Sequence, residues 1–152
     1  MHGFEAADTR ASLIDEGRIR IHDFAAKVFE DRNSLRGGAF VVTEDLNRGT
    51  FVSKWCLVLT EDLHFIIEGP RILSPSSRDT LISLLDTAEE IGCPRAFVCI
   101  EKSHEFIKQL IRAFCYYGFE MLHPESFETP LATRIDEKFA VMASTVIDSD
   151  SN

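Results

Sequence analysis

No Cys-x-x-Cys pair occurs among the four cysteines, Cys56, Cys93, Cys99 and Cys115, and each stands in a mostly apolar stretch. That removes the usual zinc and dithiol motifs and leaves buried free thiols in a reducing compartment as the expectation. The five histidines, His2, His22, His64, His104 and His123, are scattered without ligand spacing, so no metal centre is expected. Neither a GxSxG elbow nor a Walker-type loop is present, which leaves nucleophilic and nucleotide hydrolysis without their parts. No apolar run approaches the ~20 residues of a membrane-spanning helix. The opening MHGFEAADTR carries acid and lacks a continuous apolar core, unlike a secretion signal. Positive charge is also short: 16 Lys and Arg stand against 25 Asp and Glu, a formal net charge of −9. Such a surface repels nucleic acid and anionic membrane, and suits a cationic partner or plain solubility. The expectation is a soluble intracellular protein with neither membrane nor nucleic acid among its partners.

What is present is globular. The chain has 152 residues, 45% hydrophobic and 27% charged, with 12 Phe, well away from disordered composition. One domain of this length buries about two-thirds of its unfolded surface, so it needs no metal or disulfide to fold. No internal repeat or low-complexity tract is visible.

Residues 1–17 show no sustained period and read as a loose arm, Arg18–His22 as a short alternating strand, and Asp23–Asp31 as a short helix. Gly37-Gly38 is a strong breaker. Three strands are expected next, at Ala39–Thr43, Thr50–Leu59 and Leu63–Ile67, joined by short polar turns and so antiparallel. After Gly69-Pro70 the period changes. Ser76 can cap a helix in which Leu81, Leu84, Leu85, Ala88 and Ile91 form an apolar stripe, ended by Gly92 and Pro94. The continuous run Ala96–Ile100 suits a central strand covered on both faces. A second helix, capped by Ser103, carries Phe106, Ile107, Leu110, Ile111 and Phe114 and closes at Gly118. A short strand at Phe119–Leu122, a polar loop over 123–137 and a last strand within Lys138–Ile147 complete the pattern. The order predicts an α/β (α+β) fold with one layer pair: a mixed, mainly antiparallel sheet carrying two main helices. The expected division is an N-terminal arm at 1–37, the α/β domain at 38–147 and an acidic tail at 148–152.

Four segments together spell a known pattern: Ser77-Arg78-Asp79, Leu84-Leu85-Asp86-Thr87-Ala88-Glu89-Glu90, Phe97-Val98-Cys99-Ile100-Glu101-Lys102 and Arg112-Ala113-Phe114-Cys115-Tyr116-Tyr117-Gly118-Phe119-Glu120. In type, order and spacing they resemble ornithine decarboxylase antizyme, over about Trp55 to Val146; the first fifty residues match little. The resemblance implies an acetyltransferase-like (GNAT-like) fold without acetyltransferase activity and without a cofactor. It implies a negative regulator of polyamine biosynthesis that binds the decarboxylase monomer one to one, on the face used for homodimerisation. Because the decarboxylase active sites are shared across that dimer, the heterodimer is inactive. Proteasomal degradation without ubiquitin, restraint of polyamine uptake, antizyme inhibitor as a further partner, and production by ribosomal frameshifting are also implied. So are a cytoplasmic location, with the nucleus as a second one, and a monomeric free state.

The residues suit that job. The stripe of the first main helix leaves Asp79, Ser83, Asp86 and Glu90 on one exposed face with Glu89 beside them, an acidic strip that would meet a basic surface. In the family, positions matching Asp86, Glu89 and Glu90 lie at the decarboxylase contact; Asp86 stands where the vertebrate pattern has Glu. Arg78 and Lys102 are the basic members of the same match. Lys102 is expected at the edge of the sheet, and Arg78 sits near a helix start, where the dipole disfavours it. The plain alternative is a solvated face of an amphipathic helix. Gly118 and the Phe114, Tyr116, Tyr117 and Phe119 cluster read as structure, and Trp55 as either core or interface.

The rival is an acyl-CoA N-acetyltransferase. Such enzymes cradle the cofactor pyrophosphate in a glycine-containing turn of the type Q/R-x-x-G-x-G/A that opens the helix after the central strand. Here the turn reads Glu101-Lys102-Ser103-His104-Glu105-Phe106, free of glycine and flanked by carboxylates. A generic protein-interaction domain is the third possibility, but it has no reason to carry the whole ordered set of segments.

Overall fold

Apolar side chains alternate between two sides along the central strands, and that alternation sets the architecture of the computed structural model, which describes residues 2–29, 35–45, 50–71, 77–122 and 135–147. Its elements are α1 (His2–Val28), β1 (Leu35–Asp45), β2 (Thr50–Thr60), β3 (Phe65–Glu68), α2 (Ser77–Ile91), β4 (Arg95–Glu101), α3 (Ile107–Tyr116), β5 (Glu120–Met121) and β6 (Phe139–Thr145). The sheet order is β1-β2-β3-β4-β6-β5. β1, β2 and β3 form an antiparallel meander, as their short connections predict. β3 and β4 are parallel, bridged by α2, and β6 returns antiparallel to β4 with β5 on its far side.

Trp55, Leu57, Phe65, Ile67, Ala96, Val98, Ile100 and Met142 face one way and meet Leu81, Leu84 and Ala88 of α2 and Leu110 and Phe114 of α3. Cys56, Val58, Ile66, Phe97, Cys99, Phe139, Val141 and Ala143 face the other way and meet Phe24, Ala25 and Val28 of α1. Three layers result, not the single layer pair that the sequence suggests, and among the described residues a third long helix stands where only a short one at Asp23–Asp31 was expected beside the two main helices. The loose arm and the strand at Arg18–His22 are replaced by one helix from His2 to Val28. The reason is burial: without α1, the second apolar face of β2, β3 and β4 would lie in water. Its inward line runs through Leu13, Gly17, Ile21, Phe24 and Val28, at helical spacing.

A ladder of ion pairs reinforces that seating. Glu16 meets Lys54 of β2 at 2.9 Å, Arg20 meets Glu68 of β3 at 2.6 Å, and Lys27 reaches Glu101 of β4 at 3.7 Å. These pairs are half-exposed, so each contributes little by itself, and together they set the angle at which α1 crosses the strands. Helix and sheet approach closely: a Cβ on Gly38 would stand 2.7 Å from Ile21 Cγ2.

Other boundaries also shift. β3 begins at Phe65, because Leu63 takes a positive φ of 62° and the Thr60 hydroxyl ties the turn, accepting from the His64 N–H at 3.0 Å and donating to Asp62 Oδ1 at 2.5 Å. α3 begins at Ile107 without Ser103 as its cap and without any side-chain cap; the His104 ring accepts from the Phe106 N–H at 2.9 Å and ties the turn before it. Gly118 ends α3 at φ 96° and Gly92 ends α2 at φ 100°, as the sequence predicts. The expected cap Ser76, most of the polar loop and the tail at 148–152 lie outside the described residues. No described helix is long and apolar enough to cross a membrane.

Three of the cysteines are buried, but Cys115 is exposed, against the expectation for all four. Burial pushes the Cys56 and Cys99 thiols up to about 12, helped by the carboxylate of Glu68. A thiol raised in the folded state favours folding below its unfolded value of 9.0, and that contribution is lost as pH climbs towards 12. Over that window each of these thiols should lower stability by about 1.4 kcal/mol per pH unit, read by denaturant melts between pH 8 and 11. In native protein at neutral pH, a thiol reagent should titrate Cys115 alone, and all four thiols should react only after unfolding.

Candidate partner-docking face

α2 lies on the sheet through Ser77, Thr80, Leu81, Leu84 and Ala88, all buried. The opposite side therefore faces outward whatever its chemistry, and it carries Arg78, Asp79, Ser83, Asp86, Glu89 and Glu90, all exposed. Ile91, expected in the buried stripe, is exposed as well, since the stripe follows 77, 80, 81, 84 and 88 and then leaves the sheet.

The charges on α2 run against its own dipole at its C-terminal end, while at the start Asp79 offsets Arg78. The aligned peptide dipoles favour acid in the first turn and base in the last. Arg78 stands in the first turn beside Asp79, while Glu89 and Glu90 occupy the last turn, which contains no basic residue. Each such placement costs about 0.3–1 kcal/mol. Acid near the end of α2 is thus not explained by the helix itself.

The structure groups these residues by end. α2 and α3 cover the same sheet face, and both start beyond the C-terminal ends of the parallel strands. Arg78 opens α2 at that end, and Lys102 follows directly from β4 there. Lys102 follows the interior strand β4, between β3 and β6, and precedes α3, at the end of the sheet as expected. Its backbone N–H donates to the Lys138 carbonyl at 2.8 Å and its side chain is exposed. Glu89 and Glu90 lie about 18 Å away along the helix, twelve residues on from Arg78 at 1.5 Å each. The face is basic at one end and acidic at the other.

A cleft of about 370 Å³ opens at the basic end, lined by Arg20, Glu68, Arg71, Cys99, His104 and Glu105 among others. Position alone makes it the natural ligand site of this topology, just outside the carboxyl ends of parallel strands. Its chemistry argues otherwise for a phosphate-bearing ligand. Three of the amides an anion could use are taken: His104 N–H donates to the Glu101 carbonyl, Phe106 N–H to His104 Nδ1, and Ile107 N–H to the His104 carbonyl. Glu68, Glu101 and Glu105 add negative charge around the same opening. Nor is there a gap between β3 and β4, because the ladder continues unbroken from Phe65↔Ala96 to Glu68↔Cys99 and on through Gly69 N–H to the Cys99 carbonyl at 2.9 Å. The residues present do not fit an acyl-CoA.

Two side chains with a bearing on docking escape the sequence reading. Tyr116 is 84% exposed, not core, while Tyr117 is half-buried and Phe119 buried. The signal was there: Leu110 and Phe114 define the buried side of α3, and a residue two positions on from Phe114 points roughly 200° round the helix. Ile82 is exposed within the charged face of α2. Trp55 is wholly buried, its Nε1–H donating to Ser53 Oγ at 3.1 Å, so it belongs to the core.

A family model described as ornithine decarboxylase antizyme matches residues 40–146, more than half of the chain. Human ornithine decarboxylase antizyme 2 is 32% identical over 74 residues, 48% of this chain and 39% of that protein. The zebrafish (Danio rerio) antizyme 2 is 36% identical over 72 residues, 47% of this chain and 33% of that protein. The alignment thus spans well under half the length of these relatives. Solved structures with the same fold are acetyltransferases. A GNAT-family enzyme from Staphylococcus aureus superposes with a TM-score of 0.55 at 13% identity, covering 83% of this chain and 75% of that one. An acyl-CoA N-acyltransferase from Klebsiella pneumoniae gives 0.53 at 14%, covering 74% of each. At these identities the likeness is one of fold alone: a GNAT-like α/β architecture.

The dipole argument has a measurable consequence. Reversing Glu89 and Glu90 to Lys should raise stability by about 0.3–1 kcal/mol per charge, seen as a rise of ~1–4 °C in the melting midpoint. A fall would mean that the two carboxylates are held by contacts that stabilise the fold.

Proposed function

This chain belongs to the ornithine decarboxylase antizyme family, and from that premise we propose that it is a non-catalytic negative regulator of polyamine biosynthesis. It binds an ornithine decarboxylase monomer one to one through the outer face of α2, with Arg78, Asp86, Glu89, Glu90 and Lys102 as contacts. Occupying the surface that the decarboxylase uses to dimerise leaves an inactive heterodimer, because the decarboxylase active sites are shared across that surface. The bound monomer is then exposed to the proteasome without ubiquitin. Restraint of polyamine uptake and competition from antizyme inhibitor belong to the same proposal, as does action in the cytoplasm.

The observation that carries this reading is the family match together with where it falls. Residues 40–146 include all of α2, whose last-turn carboxylates oppose its own dipole. Charges so placed are available to a partner at a cost to the helix of only about 0.3–1 kcal/mol each. Their contribution to the complex is steering and orientation more than affinity, since rim charges act mainly on the association rate.

The acyl-CoA transferase reading has one observation in its favour, the likeness of fold, and fold does not fix function. Against it stand the glycine-free, carboxylate-flanked turn at 101–106, where the His104 and Phe106 amides are already bonded, and the closed ladder between β3 and β4.

Mixing the purified chain with decarboxylase from the same source should abolish decarboxylase activity at one-to-one stoichiometry. Size-exclusion chromatography should show a heterodimer replacing the decarboxylase dimer; no complex at micromolar concentrations overturns the proposal. Charge reversal at Glu89 and Glu90 should slow association and weaken binding while the domain stays folded. Acetyl-CoA at millimolar concentration should leave the melting midpoint unmoved, whereas protection by several degrees would favour the enzyme.

A further inference from the structure

α2 packs in an inverted way near its start. It turns Ser77 and Thr80 inward, both buried, while Ile82 stands 46% exposed two residues later. A single exposed isoleucine is ordinary on a protein surface. The placement of this one is not. Arg78 lies at i−4, Asp86 at i+4 and Glu89 at i+7, so Ile82 sits at the middle of the line that those charges draw along the helix. Ile91, the other exposed isoleucine of α2, is nine residues on and half a turn round, away from that line. The outer face of α2 therefore has an apolar centre, a base about 6 Å towards its N-terminus and acid from about 6 to 10 Å towards its C-terminus.

Specific interfaces share this anatomy: a desolvated apolar centre inside a polar rim, with most of the binding energy in a few central side chains. We infer that Ile82 is the apolar anchor of the docking face, the side chain that enters a socket on the partner. The inference deepens the decarboxylase reading and rests on it. It also specifies the partner's surface: an apolar pocket with an acidic group on the side facing Arg78 and basic groups on the side facing Asp86 and Glu89. The charges bring that surface into register and Ile82 holds it. The two contributions separate kinetically, because rim charges change the association rate and its salt dependence, while a buried centre changes dissociation.

The experiment is immobilised decarboxylase with full-length chain in solution, followed at two ionic strengths. Ile82→Ala should raise Kd at least tenfold, about 1.4 kcal/mol, almost wholly through faster dissociation, with the association rate and salt slope of the unaltered chain. Ile82→Met, which keeps the apolar area, should bind within about threefold of the unaltered chain, and Ile91→Ala within twofold. Each variant is checked by circular dichroism and thermal melting, and Ile82→Met keeps the inference open to test should the alanine variant not fold. Unaltered dissociation by folded Ile82→Ala, alongside weakened binding on charge reversal at Glu89 and Glu90, overturns the anchor and leaves the docking face standing. Equal losses from Ile82→Ala and Ile91→Ala overturn the assignment of the line. If the unaltered chain does not bind decarboxylase, both the anchor and the functional reading fall.

Discussion

The strands at the middle of the sheet have no polar side to offer to water. β3 and β4 present Phe65, Ile67, Val98 and Ile100 on one face and Ile66, Phe97 and Cys99 on the other, all buried. Fully burying a side chain of this kind is worth roughly 1.5–3 kcal/mol. The sheet must therefore be covered twice, and the rest of the molecule follows from that requirement. α2 bridges the parallel pair and covers one face with α3. α1 crosses the other face, inserting Phe24 and Val28 and tying itself to β2, β3 and β4 through one ion pair each.

Double coverage also explains how α2 tolerates an outer face that works against it. Leu81, Leu84 and Ala88 anchor the helix to the sheet, so its existence does not depend on favourable end charges. Selection on the outward residues is then free of the folding requirement. Arg78 at the start, Glu89 and Glu90 at the end and Ile82 between them form an outward surface whose last-turn acid weakens the isolated helix, and it is this surface that the proposed docking uses. The cost is small beside what the inner face contributes, which is why both can coexist.

The same architecture carries catalysis in the acetyltransferases that share it, and the difference here is local. At the approach to the helix after the central strand, His104 engages the Phe106 and Ile107 amides with its ring and carbonyl, and no glycine opens the turn. The parallel ladder beside it stays closed through Gly69. The turn of six residues and the backbone hydrogen bond through Gly69 are the local features that do not fit an acyl-CoA.

How much was legible depended on whether the signal was local. The meander β1–β3, the stripe of α2, the two-sided run of β4 and the left-handed ends at Gly92 and Gly118 are encoded in adjacent residues, and the sequence alone determined them. It also determined the charged face of α2 and the absence of glycine at 101–106, hence the candidate docking residues. α1 was hidden because Gly17 interrupts its inward line and Ile14 and Ile19, both exposed, blur the period; only the uncovered sheet face demands that helix. The clue lay in β4, whose apolar run already required cover on both sides. Tyr116 and Ile82 likewise stand outside because the sheet takes the opposite side of their helices. Which side of a helix meets the sheet is settled by the packing of distant segments, so the sequence supplied the candidate docking residues while tertiary structure decided which of them face outward together.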